Sequence, residues 1–575
     1  MKVQDTVIVI ESPNKVKKFR EITGAKIIAT VGHFRDMAKN ELGIDMETYM
    51  PKWQLVAGKS RLLEDLRQCN GKKVVIATDP DREGYAIGTH VYELIKLRAT
   101  EIMRAEVYEV TEKGILAAIE AAVPFERTNN GLYNAFLGRR VGDRLIGYFL
   151  SPLVSNQLNQ VMSVGRVQSP ALRLVVEREN EIIKHVPSIS YPLILDLLIN
   201  GSRILAVHED SKAIDKEQAG ELLIKMVKVQ EKIATVISSK TSRVVQPAKP
   251  PLTTSTLQQA ASNRLNLAPE QTMSLAQGLF EKGLITYHRT DSVRIGAEKL
   301  EQLREMIISE YGEEYCPERP NDFSSKKSQA EAHEAIRPTL LHSVAETENL
   351  VVRLNGLSKL HSRLYELILT RTISSQMTWA QFDHTIARLE FGDEIFIAKG
   401  SIRVFDGHQR VYNDIAKTDE DSNENMPELA KGNVGDVKDV VMVERKTKAR
   451  PRYTEATLIR ELENKGIGRP STYASILKTL KERNYVQLDK KKLVPTETGK
   501  ALIECLQQKS AWVVDYELTR EIESRLDAVQ EKSANWQEIV KEIHLKLGNN
   551  KQPVAWNVLS KTNKTKGGRN GKTKR

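Results

Sequence analysis

Two apolar runs of strand length, each ending on acidic residues, constrain this chain more than anything else in it. The first, Thr6–Ile10, runs into Glu11-Ser-Pro-Asn-Lys15; the second, Lys73–Thr78, ends inside the string Ala77-Thr-Asp-Pro-Asp-Arg-Glu-Gly84. Around them β-branched stretches alternate with helical patterns at Asn14–Ile22, Lys26–Ala29 and Tyr85–Leu97, which predicts an α/β unit on a parallel sheet. In such sheets ligands gather where strands end, so adjacent strands would bring Glu11 together with Asp79, Asp81 and Glu83. Four carboxylates cannot share one edge unless a cation is bound, and hard oxygen donors suit magnesium. Taken singly, the plainer readings are a helix-start carboxylate at Glu11 and a helix cap at Asp81.

At 575 residues the chain exceeds one hydrophobic core, and length predicts roughly three to five domains. Thr111 to Ile183 reads as helical and basic, and Tyr191 to Val245 as strands (Leu193–Ile199, Ile204–His208, Ile233–Ser238) ending at the breaker Pro247-Ala-Lys-Pro-Pro251. Helical stretches follow through Tyr365, then strands at Phe382–Leu389 and Glu394–Ala398. An acidic solvated connector is expected from Asp414 to Glu428, and a last helical region from Glu455 to Leu547. Lys561 to Arg575 carries seven basic residues and no acidic one, a tail expected to order only on phosphate.

Against 75 acidic residues stand 86 Lys and Arg, a net charge of +11 that favours a polyanionic partner. Cys69, Cys316 and Cys505 form no Cys-x-x-Cys pair, which excludes a zinc ribbon and argues against disulfides. The run Val7–Ile10 is too short for a membrane span or a signal peptide, so a cytoplasmic protein is expected. No full ATP-binding P-loop exists: before Gly58-Lys59-Ser60 the first glycine is Trp53, and before Gly571-Lys572-Thr573 it is Lys566.

The Glu11 and Asp79-Pro-Asp81 segments resemble the Toprim domain of topoisomerases, primases and some nucleases. The string Gly283-Leu-Ile-Thr-Tyr-His-Arg-Thr-Asp-Ser292 resembles the nucleophile segment of type IA DNA topoisomerases, on the bacterial topoisomerase I side of that family. The resemblance implies Tyr287 as nucleophile and Arg289 as its cationic neighbour. Chemistry fits that assignment, because a phenol of pKa ~10 attacks poorly at neutral pH unless a charge or base assists it. A guanidinium stays charged and can grip the scissile phosphate in a fork. The plainer alternative is Tyr and Arg alternating on an ordinary strand.

Further strings extend the resemblance over about residues 5 to 545. Ala330-Glu-Ala-His-Glu-Ala-Ile-Arg-Pro338, compatible with a helix, resembles the segment that brings His333 to the phosphate, and Pro251–Gln259 resembles the start of the tyrosine-bearing domain. Strings around His33 and from Arg139 to Tyr148, with Ser163–Ser169 and Gly466–Tyr473, resemble the DNA groove. They nominate His33, Arg139, Arg140, Asp143, Tyr148, Ser163, Val164, Gly165, Arg166, Val167, Gln168, Ser169, Arg469, Ser471, Thr472 and Tyr473 as DNA-binding. Glu11 is implied as the acid for the leaving 3′-oxygen and a metal ligand, Lys15 as the phosphate-positioning cation, and Asp79, Asp81 and Glu83 as magnesium ligands.

The implied fold is multidomain, α/β plus α and β, with a Toprim domain and a toroidal type IA core. Its expected parts are 1–125 (Toprim), 126–185 with 444–550 (helical groove), 186–250 with 374–443 (strand-rich arch), 251–373 (tyrosine domain) and 551–575 (tail). The implied activity is ATP-independent relaxation of negatively supercoiled DNA through a 5′-phosphotyrosine. A monomer acting on nucleoid or plasmid DNA is expected, with no membrane. Two departures stand out: Tyr85 occupies a position where the family commonly has an acid, and the four-cysteine zinc modules of many bacterial relatives are missing from the sequence. A Toprim hydrolase or primase gives no reason for the Tyr287–Arg289 string, and an architectural DNA-binding protein gives none for clustered acids.

Overall fold

The computed structural model describes residues 5–210, 215–323, 333–353, 356–413, 422–424 and 426–548. The basic tail from Lys561 therefore lies outside the described residues.

The first sheet joins β1 (Thr6–Ile10), β2 (Lys26–Ala29), β5 (Lys73–Ile76), β6 (Glu101–Arg104) and β7 (Val123–Pro124) in the order β2-β1-β5-β6-β7, parallel except for β7. Between β2 and β5 the chain makes a ribbon of β3 (Arg35–Met37) and β4 (Trp53–Leu55). Alternation along β1 sends Ile8 and Ile10 into one apolar cluster and Val7 and Val9 into another. Burial on both faces is why this strand reads as a continuous apolar run.

A second sheet closes on itself. It begins after β8 (Ile189–Ser190) with β9 (Leu193–Ile199), β10 (Ser202–His208) and β11 (Ile233–Gln246). After a helical block the chain returns with β12 (Ala380–Phe391), β13 (Glu394–Phe405), β14 (Ser422–Glu424) and β15 (Val434–Met442), and then β16 (Arg445–Lys446) pairs with β8. The order β10-β9-β15-β11-β12-β13 is sealed by pairing of β13 with β10, which removes exposed edges. Leu193, Leu195, Leu197 and Ile199 alternate into its interior.

The solvated connector expected at Asp414–Glu428 is overturned where it is described: Ser422–Glu424 adds a strand parallel to β13. The Asn423 amide bonds both the N–H and the carbonyl of Leu205, at 2.8 and 2.9 Å, and Met426 and Leu429 are buried in the barrel cluster. These two apolar side chains outweigh the acidic composition around them.

The largest cluster joins helices Asn130–Leu158 and Gln168–Lys184 to the C-terminal helices between Glu455 and Leu547, with β17 (Val486–Asp489) and β18 (Lys492–Pro495) as a small ribbon. The helical block between β11 and β12, including Thr254–Leu265, Pro269–Glu281 and Lys359–Ser375, packs instead against the α/β sheet's cluster.

Candidate active site

Strands β1 and β5 are parallel neighbours, with Val9 opposite Ile76, so the residues after them emerge side by side. After β1, Ser12 caps a short turn from Pro13 that leads Lys15 inward. Lys15 is buried, with Nζ 2.5 Å from an Asp79 oxygen and 4.5 Å above the Phe280 ring. After β5, Asp81 is the N-cap of helix Arg82–Ile95 and accepts from the Gly84 N–H at 2.8 Å. A Cβ on Gly84 would stand 2.1 Å from the Asp79 carbonyl oxygen, so this tight turn requires glycine.

Tyr287 arrives from the opposite side. Helix Pro269–Glu281 ends at Gly283, whose positive φ of 72° and approach to the Val110 carbonyl no larger residue could share. The segment beyond is bent and belongs to no sheet, with one isolated bridge at Ile285: Thr286 N–H bonds the Arg337 carbonyl at 3.0 Å and Tyr287 N–H the Tyr108 carbonyl at 2.9 Å. The Thr254 hydroxyl donates to the His288 carbonyl at 2.8 Å. Both backbone edges are thereby used, which fixes Tyr287 without a ladder.

The Tyr287 hydroxyl donates to Asp81 at 2.7 Å, and Arg289 Nη1 reaches the same carboxylate oxygen at 3.1 Å. Burial, then the Asp81 charge, pushes the phenol well above its ordinary pKa, so it is protonated here. Burial works against ionisation of Asp81, but the Arg289 charge and the bonds from Gly84, Tyr287 and Arg289 bring it down to about 2. Burial and the charges of Asp79 and Asp81 push Glu11 up to about 8.

His333 stands at the rim of this cluster, its ring 6.5 Å from that of Tyr287, and burial lowers its pKa. The helix-compatible reading of its string fails where the string is described, since residues 333–338 are extended and bridge Ile336 to Leu252 and Pro338 to Ile285. Pro338 disfavours a helical conformation at Arg337 and cannot extend a helix. The remainder, Ala330–Ala332, lies outside the described residues.

The proposed metal donors divide into two groups. Glu11, Asp79 and Asp81 converge, and their mutual repulsion is the kind a divalent cation relieves. Glu83 turns away, held by His33 at 2.9 Å and Arg139 at 2.8 Å. Among the described residues no three His, Cys, Asp or Glu side chains are gathered closely enough to hold a metal as they stand. Asp79 is engaged by Lys15, and Asp81 by Tyr287 and Arg289.

The groove candidates divide similarly. His33, Arg139, Arg140, Asp143, Tyr148, Ser163, Gly165, Val167, Gln168, Arg469 and Thr472 are partly accessible, and Ser471 is exposed. Val164, Ser169 and Tyr473 are buried, and so is Arg166, locked between Asp143 at 2.9 Å and Glu523 at 2.6 Å. Arg469 pairs with Asp527, which also holds Arg82 at 2.6 Å. Asp527 and Glu523 were missed because an acidic residue in a basic groove carries no local signal. Two clefts of about 490 and 600 Å³ meet at Arg289 and Ser471, one bordered by Glu11, Asp79 and Lys478, the other by Asp81, His333 and Arg469.

A family profile described as DNA topoisomerase matches residues 127–541, and one described as the Toprim domain matches residues 6–110. DNA topoisomerase 1 of Aquifex aeolicus is 38% identical over 94% of this chain and 98% of its own length, and that of Campylobacter jejuni 34% over 94% and 78%. Full-length topoisomerase I from Thermotoga maritima has a solved structure that superposes with a TM-score of 0.81 at 31% identity, covering 94% of this chain and 90% of that one. The chain belongs to the type IA DNA topoisomerases, in the branch of bacterial topoisomerase I. Enzymes of this family relax supercoiled DNA by single-strand passage, without ATP and through a phosphotyrosine link. None of the described helices is long and apolar enough to cross a membrane.

Proposed function

We propose that this chain relaxes negatively supercoiled DNA as a monomer, with Tyr287 as nucleophile, and that it acts on nucleoid or plasmid DNA in the cytoplasm. The observation that carries this reading is the meeting of Tyr287, Arg289 and Asp81 at 2.7 and 3.1 Å between the Toprim sheet and the 251–373 block. Tyr287 Oη attacks a backbone phosphorus as the bond to O3′ breaks, leaving a 5′-phosphotyrosine and a free 3′-hydroxyl. The phenol proton passes to Asp81, its hydrogen-bond acceptor, which becomes more basic as Arg289 leaves it for the phosphate, and Glu11, held protonated toward neutral pH, supplies one to O3′. Arg289 and Lys15, drawn from their carboxylates to the phosphate, offset its growing charge. Resealing reverses each transfer, and no ATP is needed because one phosphodiester replaces another.

Magnesium would be held by Asp79 and Asp81 with Glu11 once the two cations turn to the strand, and it would neutralise the acidic cluster during resealing. Glu83 serves instead to anchor His33 and Arg139 beside the groove. Strand passage requires the 251–373 block to leave the sheet, which breaks Asn14–Glu281 at 2.7 Å, Lys18 to the Lys282 carbonyl at 2.8 Å, Ser255–Glu463 at 2.7 Å and Tyr287–Asp81.

A supercoiled-plasmid assay with and without magnesium and ATP, followed by denaturation, tests the reading. Relaxation should require magnesium, ignore ATP and leave protein on a 5′ end; a 3′ adduct or an ATP requirement would sink it. The Asp79→Ala, Asp81→Ala double variant should relax about a hundredfold more slowly, since it loses both the metal donors and the acceptor of the phenol proton. Normal relaxation by that variant without free magnesium would remove both residues from the metal site. Gly84→Ala should lower relaxation at least about tenfold by pushing the Asp79–Asp81 turn aside, read as an initial rate.

A further inference from the structure

Behind the acidic turn lies a network that the chemistry above leaves unused. Arg104, at the end of β6, is 2% exposed. Its guanidinium donates to the Thr78 carbonyl at 2.7 Å, the Thr78 hydroxyl at 3.0 Å and the Asp79 carbonyl at 2.9 Å, gripping the backbone that carries Asp79 and Asp81. The same guanidinium lies 4.4 Å from the centre of the Tyr85 ring.

The Tyr85 hydroxyl donates to one oxygen of Glu106, and the Tyr108 hydroxyl donates to the other at 2.8 Å. Arg104, Glu106 and Tyr108 fall at alternate positions from the end of β6, and their side chains meet around Tyr85 and the Glu106 carboxylate. Tyr108 in turn accepts the Tyr287 N–H on its carbonyl at 2.9 Å, and its ring meets that of His333 edge to face with 5.1 Å between ring centres. Glu106, Tyr108, Tyr287 and His333 all border one cavity of about 380 Å³. The line from the acidic turn to the nucleophile's backbone is therefore continuous: Arg104, Tyr85, Glu106, Tyr108, Tyr287.

We propose that Glu106, clasped by Tyr85 and Tyr108, is a positioning residue that sets the acidic turn in register with Tyr287 each time the two halves of the site close. The inference rests on Tyr287 being the nucleophile. The carboxylate accepts one phenol hydrogen bond on each oxygen, and these charge-assisted bonds are short and directional. Tyrosine has few rotatable bonds, so fixing both hydroxyls fixes both rings. The Tyr108–Tyr287 contact lies between the sheet and the 251–373 block, so it must break and re-form with every strand passage. Register lost there falls on resealing, where small displacements of the reacting atoms are expensive.

The test uses full-length Tyr85→Phe, Tyr108→Phe and Glu106→Gln variants, the tyrosine pair combined, and Tyr287→Phe. Plasmid relaxation should show kcat about tenfold to a hundredfold lower in Glu106→Gln and in the double variant, with KM for plasmid and Tm unchanged. Because both phenols act through one carboxylate, the double variant should lose less than the product of the single losses. Tyr85→Phe retains the ring under Arg104 and so keeps the comparison available if Glu106→Gln folds poorly. Full kcat in these variants, or a loss confined to KM, overturns the inference. If Tyr287→Phe still forms the covalent adduct, the reading of the nucleophile fails instead, whatever the network variants do.

Discussion

Replacing Tyr287 by Phe is expected to abolish the covalent adduct and to slow relaxation by on the order of 10⁴ to 10⁶, the loss typical when a nucleophile is deleted. Only one oxygen is removed. The ring keeps its edge contact with Phe280 at 5.2 Å and stays buried, so the fold should survive. Asp81 loses one donor but keeps the Gly84 N–H and Arg289, which leaves no buried charge without a partner. Affinity for single-stranded DNA should be unchanged or slightly higher, since the closed site loses a contact that competes with the strand. Denaturing gels of end-labelled oligonucleotide read the adduct, and equilibrium binding reads affinity. Adduct formation by the variant would send the nucleophile to another residue.

The pairing of β1 with β5 was legible because two apolar runs ending on acids have few other ways to bury both faces, and the structure sets Val9 beside Ile76. The contact between Tyr287 and Asp81 was not legible. It joins residues 206 positions apart, on a sheet and a helical block that share one apolar cluster, and no local pattern encodes such a distance. His333 misled for a local reason: its string favours helix by composition, yet backbone pairing of Ile336 and Pro338 with distant segments prevails. At Tyr85 the sequence suggested only a missing acid. The structure supplies that acid from the neighbouring segment, as Glu106.

Arg166 marks the same limit in the groove and carries the largest expected effect on stability. Glycine-flanked arginine in a basic string reads as a phosphate contact, but this guanidinium and Glu523 are each 3% exposed by side chain and 2.6 Å apart. Burial costs Arg166 solvation, and Glu523 with Asp143 more than restores its charge. Arg166→Ala should therefore destabilise the fold by about 3–5 kcal/mol, because Glu523 is left buried without its 2.6 Å hydrogen bond, faced by Arg469 at 3.8 Å and, more weakly, by Arg139. Replacing both partners by apolar residues of similar volume, Arg166→Met with Glu523→Leu, should recover most of that loss, as measured by denaturant unfolding. The double variant also distinguishes a structural guanidinium from a DNA-binding one. If Arg166 touches no phosphate, the salt dependence of single-strand binding keeps its slope in the double variant. A slope reduced by about 0.7 would place the guanidinium on the backbone and make the buried pair a state that DNA displaces.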